Sequence, residues 1–100
     1  MLPVIFLPPA KQFLKKIKDR QLKKKYQDAI IEIRNNPDIG RFKTGDLAGI
    51  RGFDIKHDGV YYEIAYRVTV NAQGDVVVII MAGTRENFYE VLKKYYKLLK

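Results

Sequence analysis

Between Phe53 and Tyr89 the chain reads FDIKHDGVYYEIAYRVTVNAQGDVVVIIMAGTRENFY, three β-rich runs separated by two short polar turns. Successive side chains of a strand point to opposite faces of its sheet, so alternation in such runs sorts residues into two surfaces. From Val60 to Val70, Tyr62, Ile64, Tyr66, Val68 and Val70 fall on one face, and Tyr61, Glu63, Ala65, Arg67 and Thr69 on the other. The run before it repeats the pattern, with Phe53 and Ile55 alternating with Asp54 and Lys56. A tight turn at Asp58-Gly59 joins the two as an antiparallel pair. Asp54, Lys56, Glu63 and Arg67 are therefore predicted to share one charged surface, which is the expected place of function. After a second turn at 71–75, Val76 to Ala82 is apolar on both faces, as befits a strand inside a sheet.

The flanks supply packing for this meander. Leu2 to Phe6 is β-rich and Pro8-Pro9 ends it, with Pro9 suited to the first turn of a helix. Phe13, Leu14 and Ile17 recur at helical spacing among Lys11, Lys15, Lys16 and Lys18, giving a short basic amphipathic helix. Asp19 is placed to cap a second helix, whose stripe of Leu22, Tyr26, Ala29, Ile30 and Ile33 runs to about Asn35, where Asn36-Pro37 stops it. The two helices are predicted to form a hairpin across one sheet face. Gly40, Gly45, Gly49 and Gly52 mark 38–52 as a loop approaching the sheet, and their order does not match a GxxxxGK[ST] phosphate loop. Gly83 is expected to end the last strand and Thr84 to cap a final helix with the stripe Phe88, Val91, Leu92, Tyr95 and Leu99. Tyr89, Lys93, Lys97 and Lys100 fall on its other faces. The expected fold is one small α+β domain over residues 1–100 in the order β-α-α-β-β-β-α, an antiparallel sheet packed by an N-terminal helical hairpin and a C-terminal helix.

Composition narrows the chemistry. The chain has no cysteine and a single histidine, which excludes a disulfide framework and a thiolate metal site, so neither metal nor cofactor is expected. No run is long enough to span a membrane, and Leu2 to Leu7 is interrupted by prolines and lacks the marks of a signal peptide, so a cytoplasmic protein without a membrane partner is expected. Nineteen Lys and Arg against eleven Asp and Glu give a formal charge of +8. Such an excess favours polyanions, because each neutralised phosphate releases condensed counterions, and it suits an acidic protein partner equally. The run Lys23-Lys24-Lys25 reads first as a solvated helix face and otherwise as a patch for RNA or a partner. Arg41, Lys43 and Arg51 lie in the loop that leads into the charged face.

The basic helical hairpin, the loop ending LAGIRGFDIK, then YYEIAYRV and VVVIIMAGTRENFYEVLKKY, in that order, resemble the RelE/ParE toxin superfamily of bacterial toxin–antitoxin modules over essentially the whole chain. In its RelE branch the resemblance implies a metal-independent endoribonuclease that cleaves mRNA at the ribosomal A site and inhibits translation. Its partners would be the ribosome, mRNA and a cognate antitoxin, the last in a toxin–antitoxin hetero-oligomer. Attack of a ribose 2′-OH on the adjacent phosphate needs a base, cations for the developing charge, and a group at the 5′-oxygen. Carried over by position, the resemblance gives Lys56 a role in phosphate binding or proton transfer. It gives Arg85 transition-state stabilisation, and Tyr89 stacking or orientation of the attacking hydroxyl. Asp54 and Glu63 stand where the pattern has basic residues; Glu63 becomes a candidate general base, and Arg67, four residues on, a substitute cation. Lys23, Lys24, Lys43, Arg51 and Lys93 complete the expected RNA-binding set. Glu86 and His57 are weaker candidates, since alternation puts His57 on the core side. Beside these stand plainer readings: a solvated Glu63–Arg67 ion pair worth little, Lys56 as edge charge, and Tyr89 as helix packing. The mixed charge at Asp54 and Glu63 keeps open a ParE-like gyrase inhibitor or an inactive antitoxin-binding homologue.

Overall fold

The computed structural model describes residues 1–99; Lys100, expected off the apolar stripe of the last helix, lies outside the described residues. Five strands form one sheet: β1 (Val4–Phe6), β2 (Arg41–Phe42), β3 (Arg51–His57), β4 (Val60–Asn71) and β5 (Gly74–Thr84), in the spatial order β1-β5-β4-β3-β2. The meander β3-β4-β5 is antiparallel as expected, and the Asp58-Gly59 turn has φ of 50° and 77°, the left-handed pair that a two-residue hairpin requires. The sheet as a whole is mixed, because β1 lies parallel to β5, with Val4 opposite Val77. A further departure is β2, a two-residue strand within the stretch read as loop, which pairs with Gly52 and Arg51 at the sheet's far edge.

Helix α1 (Pro8–Lys16) opens with prolines in its first turn, and α2 (Arg20–Asn35) is capped by Asp19, whose Oδ1 accepts from the backbone N–H of Gln21 and Leu22. The other carboxylate oxygen of Asp19 lies 2.9 Å from Nε2 of the buried His57, tying the cap to the end of β3. His57 is thus on the core side, as its alternation required. The Asp19 carboxylate can only accept, so Nε2 carries the hydrogen of this contact, and Nδ1 has no hydrogen-bond partner among the described residues.

Two cores flank the sheet. On one side the hairpin α1-α2 buries Ala10, Tyr26, Ile30 and Ile33 against Ile55, Ile64, Tyr66, Val77 and Ile79. On the other, α3 (Phe88–Leu99) and a single 3-10 turn at Gly45–Leu47 cover Ala65, Ile80 and Met81. The buried stripe of α3 is Phe88, Leu92 and Tyr96 at four-residue spacing. Val91 and Leu99, placed in that stripe by sequence, are about half exposed.

The alternation of β5 breaks once. Ala65 pairs with Met81 and Tyr66 with Ile79, so Ile80 is an extra residue, a β-bulge. Ile80 and Met81 both face α3; Val77 and Ile79 before them, and Ala82 after them, face the hairpin. The bulge therefore inverts the parity of everything beyond it. Gly83 and Arg85 turn to the α3 side, where an uninterrupted strand would have aimed them at the hairpin. Strand β5 also runs past Gly83: Thr84 pairs with Tyr62, and the N–H of Arg85 donates to the Tyr61 carbonyl. The chain then turns through Asn87, at φ 56°, into α3. Thr84 is accordingly the end of a strand, and Arg85 does not sit at a helix N-terminus.

Candidate functional site

Helix α3 covers only part of its sheet face, and the uncovered part is a cleft of about 440 Å³ lined in part by Arg41, Lys43, Asp54, Glu63, Arg85 and Tyr89. Counting back from the two-residue turn places Asp54 directly opposite Glu63 on adjacent strands, and the pairing shows that register. Like charges so placed repel. Arg85, delivered to this face by the bulge, bridges them: its Nε donates to Glu63 Oε1 and its Nη2 to Asp54 Oδ2, each over 2.9 Å. The Tyr89 hydroxyl, presented from the first turn of α3, donates to Glu63 Oε2 at 3.0 Å.

Both Glu63 oxygens are thus engaged, and its side chain is only 3% exposed. Burial pushes its carboxyl above the usual range, and the neighbouring Asp54 adds to the shift against the opposing pull of Arg85 and Tyr89. Asp54 moves the other way, held low first by hydrogen bonding with the Glu63 side chain and then by the Arg85 and Lys43 charges. The Tyr89 hydroxyl is held protonated, by burial first and then by the Glu63 charge. From the hairpin side the buried Tyr26 hydroxyl lies 3.3 Å from the Glu63 carbonyl and 3.4 Å from that of its strand partner Gly83, which anchors the backbone beneath the site.

Aromatic faces position the cations. The Arg85 guanidinium lies over the Tyr61 ring at 4.2 Å, and Lys56 Nζ approaches the same ring at 5.3 Å. Lys43 Nζ sits 4.4 Å from the Tyr89 ring centre. Gly52 makes this last contact feasible, because a Cβ there would come within 2.7 Å of Lys43 Cε and 2.8 Å of the Tyr89 hydroxyl.

Of the residues singled out by sequence, the structure brings together Glu63, Arg85, Tyr89 and Lys43, with Lys56 beside them across Tyr61. Arg67 is elsewhere. It shares their face, but four strand residues displace it about 13 Å from Glu63, and its Nη1 donates to the Tyr96 hydroxyl at 3.0 Å. No Glu63–Arg67 pair forms, and Arg67 does not substitute for a cleft cation. Arg51 alternates onto the hairpin side of β3, where its guanidinium binds the carbonyls of Asp38 and Gly40 and the Asp38 carboxylate, and stacks on Phe42. Its charge is used in holding the 36–40 loop. Lys23 and Lys24 lie on the hairpin layer, across the sheet from the cleft, with Lys24 paired to Asp28. Lys93 is exposed on α3 one turn beyond Tyr89. Sequence places Asp54 on the charged surface but gives it no role, and it does not single out Tyr61 or Gly52. The turn register alone signals the first two, and the third depends on a tertiary approach.

A small α+β domain with this element order has the architecture of the RelE-like toxins. The chain belongs to the ParE-like toxin family of type II bacterial toxin–antitoxin systems, which it matches over residues 4–93. Solved structures agree on the fold. A doubly substituted E. coli toxin RelE in the free state superposes with a TM-score of 0.70 at 16% identity, covering 96% of each chain. The YoeB/ParE toxin from Agrobacterium tumefaciens gives 0.67 at 16% identity, over 84% of this chain and 99% of that one. The RelBE2 toxin–antitoxin complex from Mycobacterium tuberculosis gives 0.60 at 26% identity, over 84% and 98%. A comparison with curated proteins finds no match.

Proposed function

We propose that this toxin is a metal-independent endoribonuclease that cleaves mRNA in the ribosomal A site and so inhibits translation in the cytoplasm. The observation that carries the reading is the Glu63–Arg85–Tyr89 constellation on the cleft floor. A base suited to neutral pH needs a pKa above that of an ordinary carboxylate, and burial gives Glu63 that shift. Because Glu63 is sealed from solvent, a substrate hydroxyl meets the Tyr89 hydroxyl first. The 2′-OH proton passes to Glu63 by way of Tyr89 Oη, while the outer edge of the Arg85 guanidinium takes the charge that develops on the phosphate. Lys43 and Lys56 flank the path of the RNA backbone, and Lys43 is the ammonium nearest Tyr89 for the departing 5′-oxygen.

A cognate antitoxin completes the proposal. The relatives solved as toxin–antitoxin complexes support such a partner, and the lysine-bearing hairpin suits an acidic amphipathic segment. The deciding experiment induces the wild-type chain and Arg85→Ala in a bacterial host without antitoxin and maps mRNA 5′ ends by primer extension. Codon-phased ends that vanish with Arg85→Ala are expected. Growth arrest with intact mRNA would overturn the reading and favour a gyrase inhibitor, for which the two carboxylates in the cleft are the supporting observation.

A further inference from the structure

Asp54 makes the cleft unusual for a site meant to receive phosphate. Its carboxylate and that of Glu63 hold the same guanidinium at the same 2.9 Å, but their surroundings differ sharply. The Glu63 side chain is 3% exposed and that of Asp54 is 58% exposed. The Glu63 contact is therefore fixed by packing, and the Asp54 contact is exchangeable with solvent or with a ligand. The other surfaces of Arg85 are committed as well. Its Nε is taken by Glu63, and one face of its plane rests on Tyr61. A phosphate binding two-pronged, the favoured geometry for a guanidinium, is left with the Nη1–Nη2 edge. Nη2 is the nitrogen that Asp54 holds.

We infer that Asp54 occupies the anion subsite at Arg85 in the free protein, that an incoming phosphate displaces its carboxylate, and that this competition sets the affinity of the cleft for phosphate. The inference deepens the proposed function and rests on its placing of phosphate at Arg85. The consequence is selectivity. With Asp54 in place, a lone phosphate binds weakly at Arg85. Tight binding requires further contacts along the ligand, such as Lys43 and Lys56 make with a longer backbone.

The test is equilibrium binding, with cleavage read separately. Inorganic phosphate is titrated into the wild type, Asp54→Asn and Asp54→Ser while the Arg85 Nε–Hε resonance is followed by NMR. A 2′-O-methyl oligoribonucleotide is titrated into the same proteins and into Arg85→Ala with and without Asp54→Asn. Both Asp54 variants are expected to bind phosphate about two- to fivefold more tightly, the scale of losing one exposed ion pair. In the Arg85→Ala background, Asp54→Asn is expected to lose most of its effect on the oligonucleotide, because the coupling runs through that side chain. Unchanged or weaker phosphate binding in both variants would overturn the inference, as would an equal gain without Arg85, or an Arg85 resonance that phosphate never perturbs. Tightened phosphate binding without codon-phased cleavage in cells would sink the nuclease reading alone, and intact cleavage with unaltered phosphate affinity would sink the Asp54 assignment alone.

Discussion

Gly52 shows how little space separates fold from chemistry at this site. Its missing Cβ leaves the slot in which the Lys43 stem and the Tyr89 hydroxyl meet, and both neighbours are the far ends of flexible side chains. Gly52→Ala is accordingly expected to fold, with a melting temperature within a few degrees of wild type, and to push Tyr89 off Glu63. Displacement of a reacting group by about 1 Å costs on the order of a hundredfold in rate, so codon-phased cleavage should fall steeply in a protein whose circular dichroism is unchanged. Equal cleavage by this variant would remove the Tyr89–Glu63 contact from the mechanism. Glu63 itself carries a pH signature. Its folded pKa lies above the ordinary value of 4.5, so the native state holds that proton more tightly than the unfolded chain does. The linked stability is fully present below pH 4.5 and is lost as pH rises through the folded pKa. Glu63→Gln, which mimics the protonated group, should thus melt at or above the wild type at pH 7 to 8, with the difference shrinking toward pH 4. Cleavage should fall by about a hundredfold or more, the contribution of a positioned base. Thermal melts across that range check the sign, and a neutral-pH melting temperature well below wild type would contradict the burial argument.

Local rules account for the elements better than for the joints between them. Strand alternation, the Asp58-Gly59 turn, the Asp19 cap and the Asn36-Pro37 stop are short-range signals, and the elements they define stand close to where sequence places them. The bulge at Ile80 left no such mark, because in a run apolar on both faces an inserted residue does not disturb the pattern. That silence mattered, since the bulge alone turns Arg85 toward Glu63. The parity of Arg51 was legible, and the charge-based reading of it as an RNA contact disregarded it. In α3, the choice of Phe88, Leu92 and Tyr96 over Val91 and Leu99 depends on which residues the sheet reaches, which periodicity alone leaves open. Tyr66 shows a joint being held. Its buried hydroxyl donates to the Pro37 carbonyl at 2.7 Å and accepts from the Gly40 N–H at 2.9 Å, pinning the loop that carries β2 to the middle of the sheet. Tyr66→Phe leaves both backbone groups without that partner, and an unsatisfied buried group costs about 1–3 kcal/mol. The midpoint of urea unfolding should drop accordingly with the m-value unchanged. A midpoint equal to wild type would show that the loop finds other partners.

At the scale of the whole molecule, the sheet separates two basic surfaces that a count of charges merges. The basic side chains include a hairpin group of Lys11, Lys15, Lys23 and Lys24 and a cleft group of Arg41, Lys43, Lys56 and Arg85. Charges further apart than the Debye length, about 8 Å at physiological ionic strength, are largely screened from one another where solvent reaches them. The hairpin touches the cleft strand through Lys25, whose Nζ donates to the Lys56 carbonyl at 2.9 Å. Lys23 and Lys24, on the far side of the sheet from the cleft, are expected to act nearly independently of it at that salt. The joint change Lys23→Ser, Lys24→Ser is expected to leave binding of a 2′-O-methyl oligoribonucleotide within about twofold of wild type at 150 mM salt, because screening leaves only a residual net-charge effect. Lys43→Ala should weaken the same binding several-fold. It should also lower the slope of log K against log salt by about 0.7, the loss of one single-strand phosphate contact. Anisotropy titrations at three salt concentrations check both expectations, a lower slope for Lys43→Ala and little change in affinity at 150 mM salt for the double serine variant. Equal weakening by both changes at 150 mM salt, with equal slopes, would mean that the RNA path crosses the sheet edge onto the hairpin. The proposed antitoxin and RNA would then compete for one continuous surface.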